Sequence, residues 1–382
     1  MKIGIITIQR SPNYGACLQS YGLFFYLKDK GYDCEVIDLL RPIHSDYIPS
    51  KSYLPYRSKQ YGVLKRALYK IKNYFVHSSR VSSISVEAKQ KFDSFNNLIN
   101  YSCQYCSIEE LYQAPPDYDI YISGSDQLWN PTIGFCIEPY FLTFVKNGGR
   151  KISYATSIGI AKLEDKEKED YSRWLSDYYS ISVREKDGCK ILSELVKQKV
   201  SQVADPTFLL EPSQWKSIIV PPIVDKPYIL LFTLNYCKEL IDFAYRISLE
   251  SGKRLVYLCL YQTVDVSRYV DNIVNNAGPQ EFLGYINSAD MVITDSFHGT
   301  VFSLILDSDN VFSYVPLSRK RGSRITELLD TYHLSDHILR DDLSISYKEL
   351  QSRFIDKHSL YEMMNCERKR SQEYLLRQLQ QN

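Results

Sequence analysis

Excess charge of either sign is missing from this 382-residue sequence: 46 lysines and arginines meet 45 aspartates and glutamates. With no global field to hold nucleic acid or to spread over an anionic membrane, any such contact must be local. Long apolar runs are missing too. No stretch approaches the roughly 20 apolar residues of a membrane-spanning helix, which leaves only peripheral dealings with lipid. Residues 1–8 carry a short apolar run with no basic flank and no small-residue cleavage site, so they read as a first strand. The nine cysteines lack regular spacing, and in a chain too long to need staples this fits reduced thiols and a cytoplasmic setting. Cys103 and Cys106 have no second pair at zinc-finger spacing, and His333 with His337 has no carboxylate set nearby, so no metal site is expected. Also absent is Gly-x-Gly-x-x-Gly, which disfavours a dinucleotide although Asp38 ends the second strand where a ribose ligand would sit.

What is there is an alternation of short β-branched runs with helical periodicity, the pattern of parallel strands joined by crossover helices. A chain of this length outgrows one core, so two domains are expected. The first, residues 1–211, has strands predicted at 3–8, 34–39, 120–123, 152–155, 180–183 and 200–204, six in one sheet. Residues 41–92 interrupt it with basic residues interleaved with tyrosines. They read as an inserted helical excursion, for which a solvated face is a plainer account than a lipid or polyphosphate site. Four prolines between 211 and 227 mark the linker. A second domain, 228–345, repeats the scheme with strands predicted at 228–234, 254–260, 291–294 and 311–315. Residues 346–382 form a helical tail, amphipathic over 361–380.

In open parallel sheets ligands bind beyond the carboxyl ends of strands, so candidate residues should follow strands. Four clusters do. Asn13-Tyr14-Gly15-Ala16 follows the first strand, where small residues let amides approach an anion and Asn13 offers a side-chain amide; a plain turn into a helix explains it equally well. Ser123-Gly124-Ser125-Asp126-Gln127-Leu128-Trp129-Asn130-Pro131 supplies donors, acceptors and an aromatic face suited to sugar hydroxyls, against an ordinary N-cap with a core tryptophan. Arg184 closes a strand and can present a planar fork to a carboxylate or phosphate, or pair with Glu185 or Asp187. Thr294-Asp295-Ser296-Phe297-His298-Gly299-Thr300 places a histidine on a strand-to-helix turn, a position suited to an acid or base that titrates near neutrality. Downstream, a basic loop holding Arg321 and Arg324 opens a helix and is an anion trap in principle, a solvated loop in the ordinary case.

Taken in order, Asn13 to Ala16, Gly124 to Pro131, Ser182-Val183-Arg184-Glu185, Asp205-Pro206-Thr207-Phe208 and Asp295 to Thr300 resemble the polysaccharide pyruvyl transferases. The resemblance implies two Rossmann-like domains facing each other across a cleft, as in GT-B glycosyltransferases. It implies transfer of the enolpyruvyl carbon of phosphoenolpyruvate onto two sugar hydroxyls, forming a cyclic ketal and releasing phosphate, with no cofactor. An arginine matching Arg184 and a histidine matching His298 are tied in the family to donor binding and catalysis. One departure stands out: the family's arginine two residues before that histidine is Ser296 here, so the missing charge falls to Arg321 or Arg324. Asn13, Gly15, Ser296, Gly299 and Thr300 are then expected at the donor. Tyr14, Gln127, Trp129 and Asn130 are expected at the acceptor, with Asp126 receiving a hydroxyl proton.

The acceptor expected is a sugar of an exopolysaccharide or capsule precursor, free or lipid-linked. A lipid-linked one would draw the protein to the inner face of the membrane through residues 51–80. Two rival readings share the architecture: a glycosyltransferase using a nucleotide sugar, and a sugar-binding protein without catalysis.

Overall fold

The computed structural model describes all residues except 42–43, 45, 49–55, 57–83, 134–137, 147, 225–226, 262–263, 309, 318–322 and 381–382. In the first half β1 (Lys2–Ile6), β2 (Asp33–Leu39), β3 (Tyr101–Tyr105), β4 (Ile120–Ser123) and β5 (Arg150–Ser153) run parallel in the order β3-β2-β1-β4-β5. Two further strands, β6 (Ile181–Val183) and β7 (Val200–Gln202), pair only with each other. The second half contains β8 (Tyr228–Phe232), β9 (Arg254–Leu258), β10 (Asn272–Val274), β11 (Met291–Thr294), β12 (Val311–Tyr314) and β13 (Ile338–Leu339). They too are parallel, ordered β10-β9-β8-β11-β12-β13.

In each sheet the winding reverses beside its first strand, between β1 and β4 and again between β8 and β11. Chains leave such a switch point in opposite directions and open a crevice at the strands' carboxyl ends. The clusters after β1, β4 and β11 therefore gather at the two crevices.

The single six-stranded first sheet does not form as expected. The segment after β5 meets β6 through isolated bridges, Ile152 with Ser180 and Thr156 with Val183. Here serine hydroxyls take over from the ladder: Ser182 N donates to Ser153 Oγ at 2.8 Å, and Ser182 Oγ to Ser153 O at 2.7 Å. Such hydroxyls compete with strand pairing, and β6 peels away with β7.

The first helix (Tyr14–Asp29) starts where the Asn13 side chain accepts from Ala16 N, and it stops before Gly31, whose φ of +83° suits only glycine without strain. It is buried on nearly every face because it lies between the halves. One apolar cluster accordingly runs from Ile3 and Ile5 in the first sheet to Leu230 and Val292 in the second, while separate clusters cover each sheet's outer face. Tyr14 is the joint: its ring stacks on Phe282 at 4.5 Å and Phe92 at 5.2 Å, and its hydroxyl donates to Ala277 O. On the same boundary Tyr261 Oη donates to Pro12 O, and Lys91 pairs with Glu281 at 3.1 Å.

The proline-rich stretch after 211 is not wholly irregular, since Pro212–Lys216 forms a short helix capped by Glu211 and Gln214. The tail is one helix (Lys357–Gln380) that returns from the second half to the first. Arg368 donates to Phe208 O and pairs with Glu211, Ser371 Oγ accepts from Ala204 N, and Gln372 donates to Leu209 O. Among the described residues no helix is long and apolar enough to cross a membrane. Most of the expected insertion, including all of 51–80 except Tyr56, lies outside the described residues.

Candidate functional site

The segment after β11 enters its helix earlier than the sequence suggests. The helix spans Phe297–Ile305, capped by Ser296, whose Oγ accepts from Gly299 N at 3.2 Å. His298 therefore sits in the first helical turn and not on a preceding loop. Its neighbours are structural: Thr300 Oγ1 bonds Ser296 O and Ser313 Oγ, and a Cβ on Gly299 would stand 2.6 Å from Thr294 Oγ1. The expectation that Ser296, Gly299 and Thr300 face a donor does not hold, because each is committed to the cap or the strand behind it.

His298 is 8% exposed and crosses the boundary towards the first helix. A Cβ on Gly15 would lie 2.0 Å from its Nδ1, so Gly15 makes room for the imidazole and does not itself cradle an anion. Asn13 is exposed but committed to the cap, its Oδ1 accepting from Ala16 N at 3.0 Å.

The loop after β4 divides in two. Asp126 is half-buried with φ of +72°, its carboxylate accepting from Gln127 N, and its charge acts on Arg184 and Arg324. Gln127 is half-buried and its Oε1 accepts from Asn130 Nδ2. Trp129, by contrast, is 0% exposed, stacked on Phe141 at 5.2 Å with Nε1 donating to Tyr140 O. Asn130 is also fully buried. Trp129, Asn130 and the interlocked Tyr14 thus have no face for an acceptor sugar; the core needs their bulk and their hydrogen bonds.

Arg184 and His298, from opposite halves, do converge, and they meet on Asp205. Arg184 Nη1 donates to Asp205 Oδ2, Ser125 Oγ donates to the same oxygen at 3.3 Å, and His298 Nε2 stands 3.7 Å from it. The other oxygen, Oδ1, accepts from Thr207 N at 3.1 Å and Thr207 Oγ1 at 2.8 Å. Burial works against the Asp205 charge, but His298 and Arg184 outweigh it and hold the carboxyl well below the usual range. Burial likewise opposes the Arg184 charge, and Asp205, Glu185 and Asp126 together raise its pKa.

The Arg184 guanidinium lies 4.6 Å from the Phe297 ring centre, with that of Arg324 5.5 Å from the same ring. Burial and then the Arg184 charge push Arg324 down to about 10. Among the described residues, Arg184 Nε and Nη2 are buried without a hydrogen-bond partner. Arg184 also lines a cavity of about 70 Å³ whose walls include Gln202, Asp205, Phe297, Arg324 and Glu327. Arg321 lies outside the described residues.

Three of these residues carry no expected role in the sequence: Asp205, Phe297 and Glu327. Asp205 had a signal, an acid that follows a strand in an Asp-Pro-Thr turn, but that signal equally marks a turn cap. Glu327 joins the halves by accepting from Lys186 N and Gln202 Nε2, and only the folded chain brings those partners to it.

Comparison with solved structures finds similar folds over nearly the whole chain. Methanocaldococcus jannaschii UDP-GlcNAc 2-epimerase, solved with UDP-GlcNAc and UDP, is 13% identical with a TM-score of 0.50, covering 99% of each chain. Arabidopsis thaliana UGT89C1 is 11% identical at TM-score 0.52, again over 99% of each. Trehalose-6-phosphate synthase OtsA is 11% identical at TM-score 0.52, over 100% of this chain and 99% of that one. Such identities speak to the fold alone, which is the GT-B arrangement of two Rossmann-like halves. No curated protein sequence matches the chain. A family model described as polysaccharide pyruvyl transferase matches residues 13–307.

Proposed function

Since the chain belongs to the polysaccharide pyruvyl transferase family, we propose that it moves the enolpyruvyl group of phosphoenolpyruvate onto a sugar of a polysaccharide precursor, forming a pyruvate ketal and releasing phosphate. The observation that supports this donor best is the unpartnered Nε and Nη2 edge of buried Arg184 beside a small cavity. That edge is a fork that matches a carboxylate or a phosphate, and a guanidinium left bare in the interior is costly until such an anion fills it. Arg324, close to the same phenylalanine ring, supplies the second charge that Ser296 cannot.

The chemistry needs a proton delivered to the enol methylene, which makes the central carbon electrophilic. One sugar hydroxyl then attacks that carbon, the carbon–oxygen bond to phosphate breaks, and a second hydroxyl closes the ring, its proton returning to the group that protonated the methylene. His298 is the acid for the methylene, and Asp126 takes the proton that the attacking hydroxyl loses. Arg184 and Arg324 hold the donor's anionic groups and stabilise the departing phosphate. If the acceptor is lipid-linked, the reaction takes place at the inner membrane face.

Phosphorus NMR of the protein with phosphoenolpyruvate and free or lipid-linked glycans tests this directly. Inorganic phosphate is expected to appear only with an acceptor, and His298→Ala to lower turnover by about 10²-fold or more while folding normally. The donor assignment fails if no acceptor elicits phosphate and, in a thermal-shift panel, a nucleotide sugar raises the melting point where phosphoenolpyruvate does not.

A further inference from the structure

We propose that Asp205 is the positioning residue of the reaction centre: one carboxylate grips Arg184 of the first half and faces the His298 imidazole of the second, so that both groups are placed from a single point. The proposal rests on the donor reading above and adds a role that reading does not contain.

The carboxylate is fixed from several directions. Oδ1 is held by the backbone and hydroxyl of Thr207, while Oδ2 is held by Arg184 Nη1 and Ser125 Oγ and faces His298 Nε2. These groups come from the ends of β4, β6, β7 and β11, so the carboxylate is the point at which four strand ends register. The turn carrying it is braced from behind, by Arg368 and Gln372 on the carbonyls of Phe208 and Leu209, and by Gly22, where a Cβ would stand 2.9 Å from Pro206 O. At 2% exposure Asp205 cannot swing to a new partner without disrupting this set.

Its grip leaves a defined remainder. With Nη1 taken, Arg184 keeps the Nε and Nη2 edge, which is the edge without a partner among the described residues. With Nε2 towards Asp205, His298 keeps Nδ1, the nitrogen lying over Gly15 at the start of the first helix. At 3.7 Å the carboxylate orients the ring by its charge without a hydrogen bond, and Nε2 has no other hydrogen-bond partner among the described residues.

The charge also works against any purely donor-binding function. An anion beside Arg184 repels an anionic donor, so a residue serving affinity alone would not be acidic. The other acidic groups around Arg184 and Arg324 include Asp126, Glu185 and Glu327, whereas Asp205 is the carboxylate that both Arg184 and His298 approach. Asp205 is therefore expected to separate the two kinetic parameters: removing its charge impairs the chemical step and leaves donor binding intact or stronger.

Asp205→Asn keeps the shape and removes the charge. The expected result is a folded protein whose kcat falls by about 10²-fold or more, with a donor dissociation constant, measured by calorimetry, equal to or below the parent's. Formate added to Asp205→Ala is expected to restore part of the rate in a saturable manner, and formamide is not. A kcat within about threefold of the parent overturns the proposal, as does a proportional loss of donor affinity and kcat without formate rescue, which marks a residue of the scaffold. Should Asn at 205 fail to fold, Thr207→Val removes one hydrogen bond to the carboxylate and no charge; a fall in kcat of about 5-fold to 10-fold is expected, and an unchanged kcat overturns the assignment. The parent assayed alongside keeps the two readings apart: a parent that releases no phosphate from phosphoenolpyruvate overturns both, whereas an active parent with an equally active Asp205→Asn overturns this one alone.

Discussion

A missing methyl group decides where His298 can stand. Gly15 lies in a helix, where alanine would be favoured by about 1 kcal/mol, yet a Cβ there would come within 2.0 Å of the imidazole. Neither party can yield cheaply, since the helix is buried and the ring is hemmed by Asp205. Gly15→Ala is therefore expected to displace the ring and lower turnover by at least about 10-fold while the melting point moves only a few degrees. Phosphate-release kinetics and thermal melting check it, and full activity would show that the ring is not used from this position. That Arg184 and His298 would approach each other was legible in the sequence, because polar residues that follow strands of a parallel sheet have few other places to go. Trp129, Asn130 and Tyr14 misled because residue type alone does not tell which way a side chain turns. A tryptophan that could stack on a sugar is also the best filler for a core, and here it fills one.

Among the elements, the returning tail helix does most to hold the turn behind Asp205. Arg368 is 1% exposed and joins Phe208 O, Glu211 and Asn365. Breaking a sealed ion pair costs about 3 to 5 kcal/mol, and the cost here falls below that because half-exposed Glu211 can hydrate. Arg368→Ala is accordingly expected to destabilise by about 2 kcal/mol, read as a lower midpoint in urea; an unchanged midpoint would mean that the helix is held by its apolar face alone. The longer strands were legible from their β-branched runs, and 120–123 and 291–294 coincide with β4 and β11. The strands that escaped are edge pieces: Tyr101–Tyr105 is half-exposed with a serine and a glutamine among its five residues, Asn272–Val274 has three residues and Ile338–Leu339 has two. An edge strand satisfies one neighbour only and buries too little to show the periodicity that identifies a central one.

At the scale of the molecule, the buried charges at the boundary tie stability to acidity. The Asp205 carboxyl is held well below its unfolded value of about 3.9. A depressed folded pKa contributes stability that is fully present above the unfolded value and is lost as pH falls through the region between the two. Parent melting points are expected to decline on acidification below about pH 5, more steeply than those of Asp205→Asn, so that the two curves, apart at pH 7, approach each other towards pH 3. Parallel curves would show that Asp205 gains nothing from its ionisation in the fold.

The two places where chain or helix passes between the halves lie side by side, because the segment leaving after Glu211 is gripped there by Arg368 of the returning tail. A door hung on two hinges set into the same jamb can only swing about that edge. Any parting of the halves must therefore widen away from that edge, and it must break together the contacts that cross the boundary, Tyr261 to Pro12, Tyr14 to Ala277 and Lys91 to Glu281.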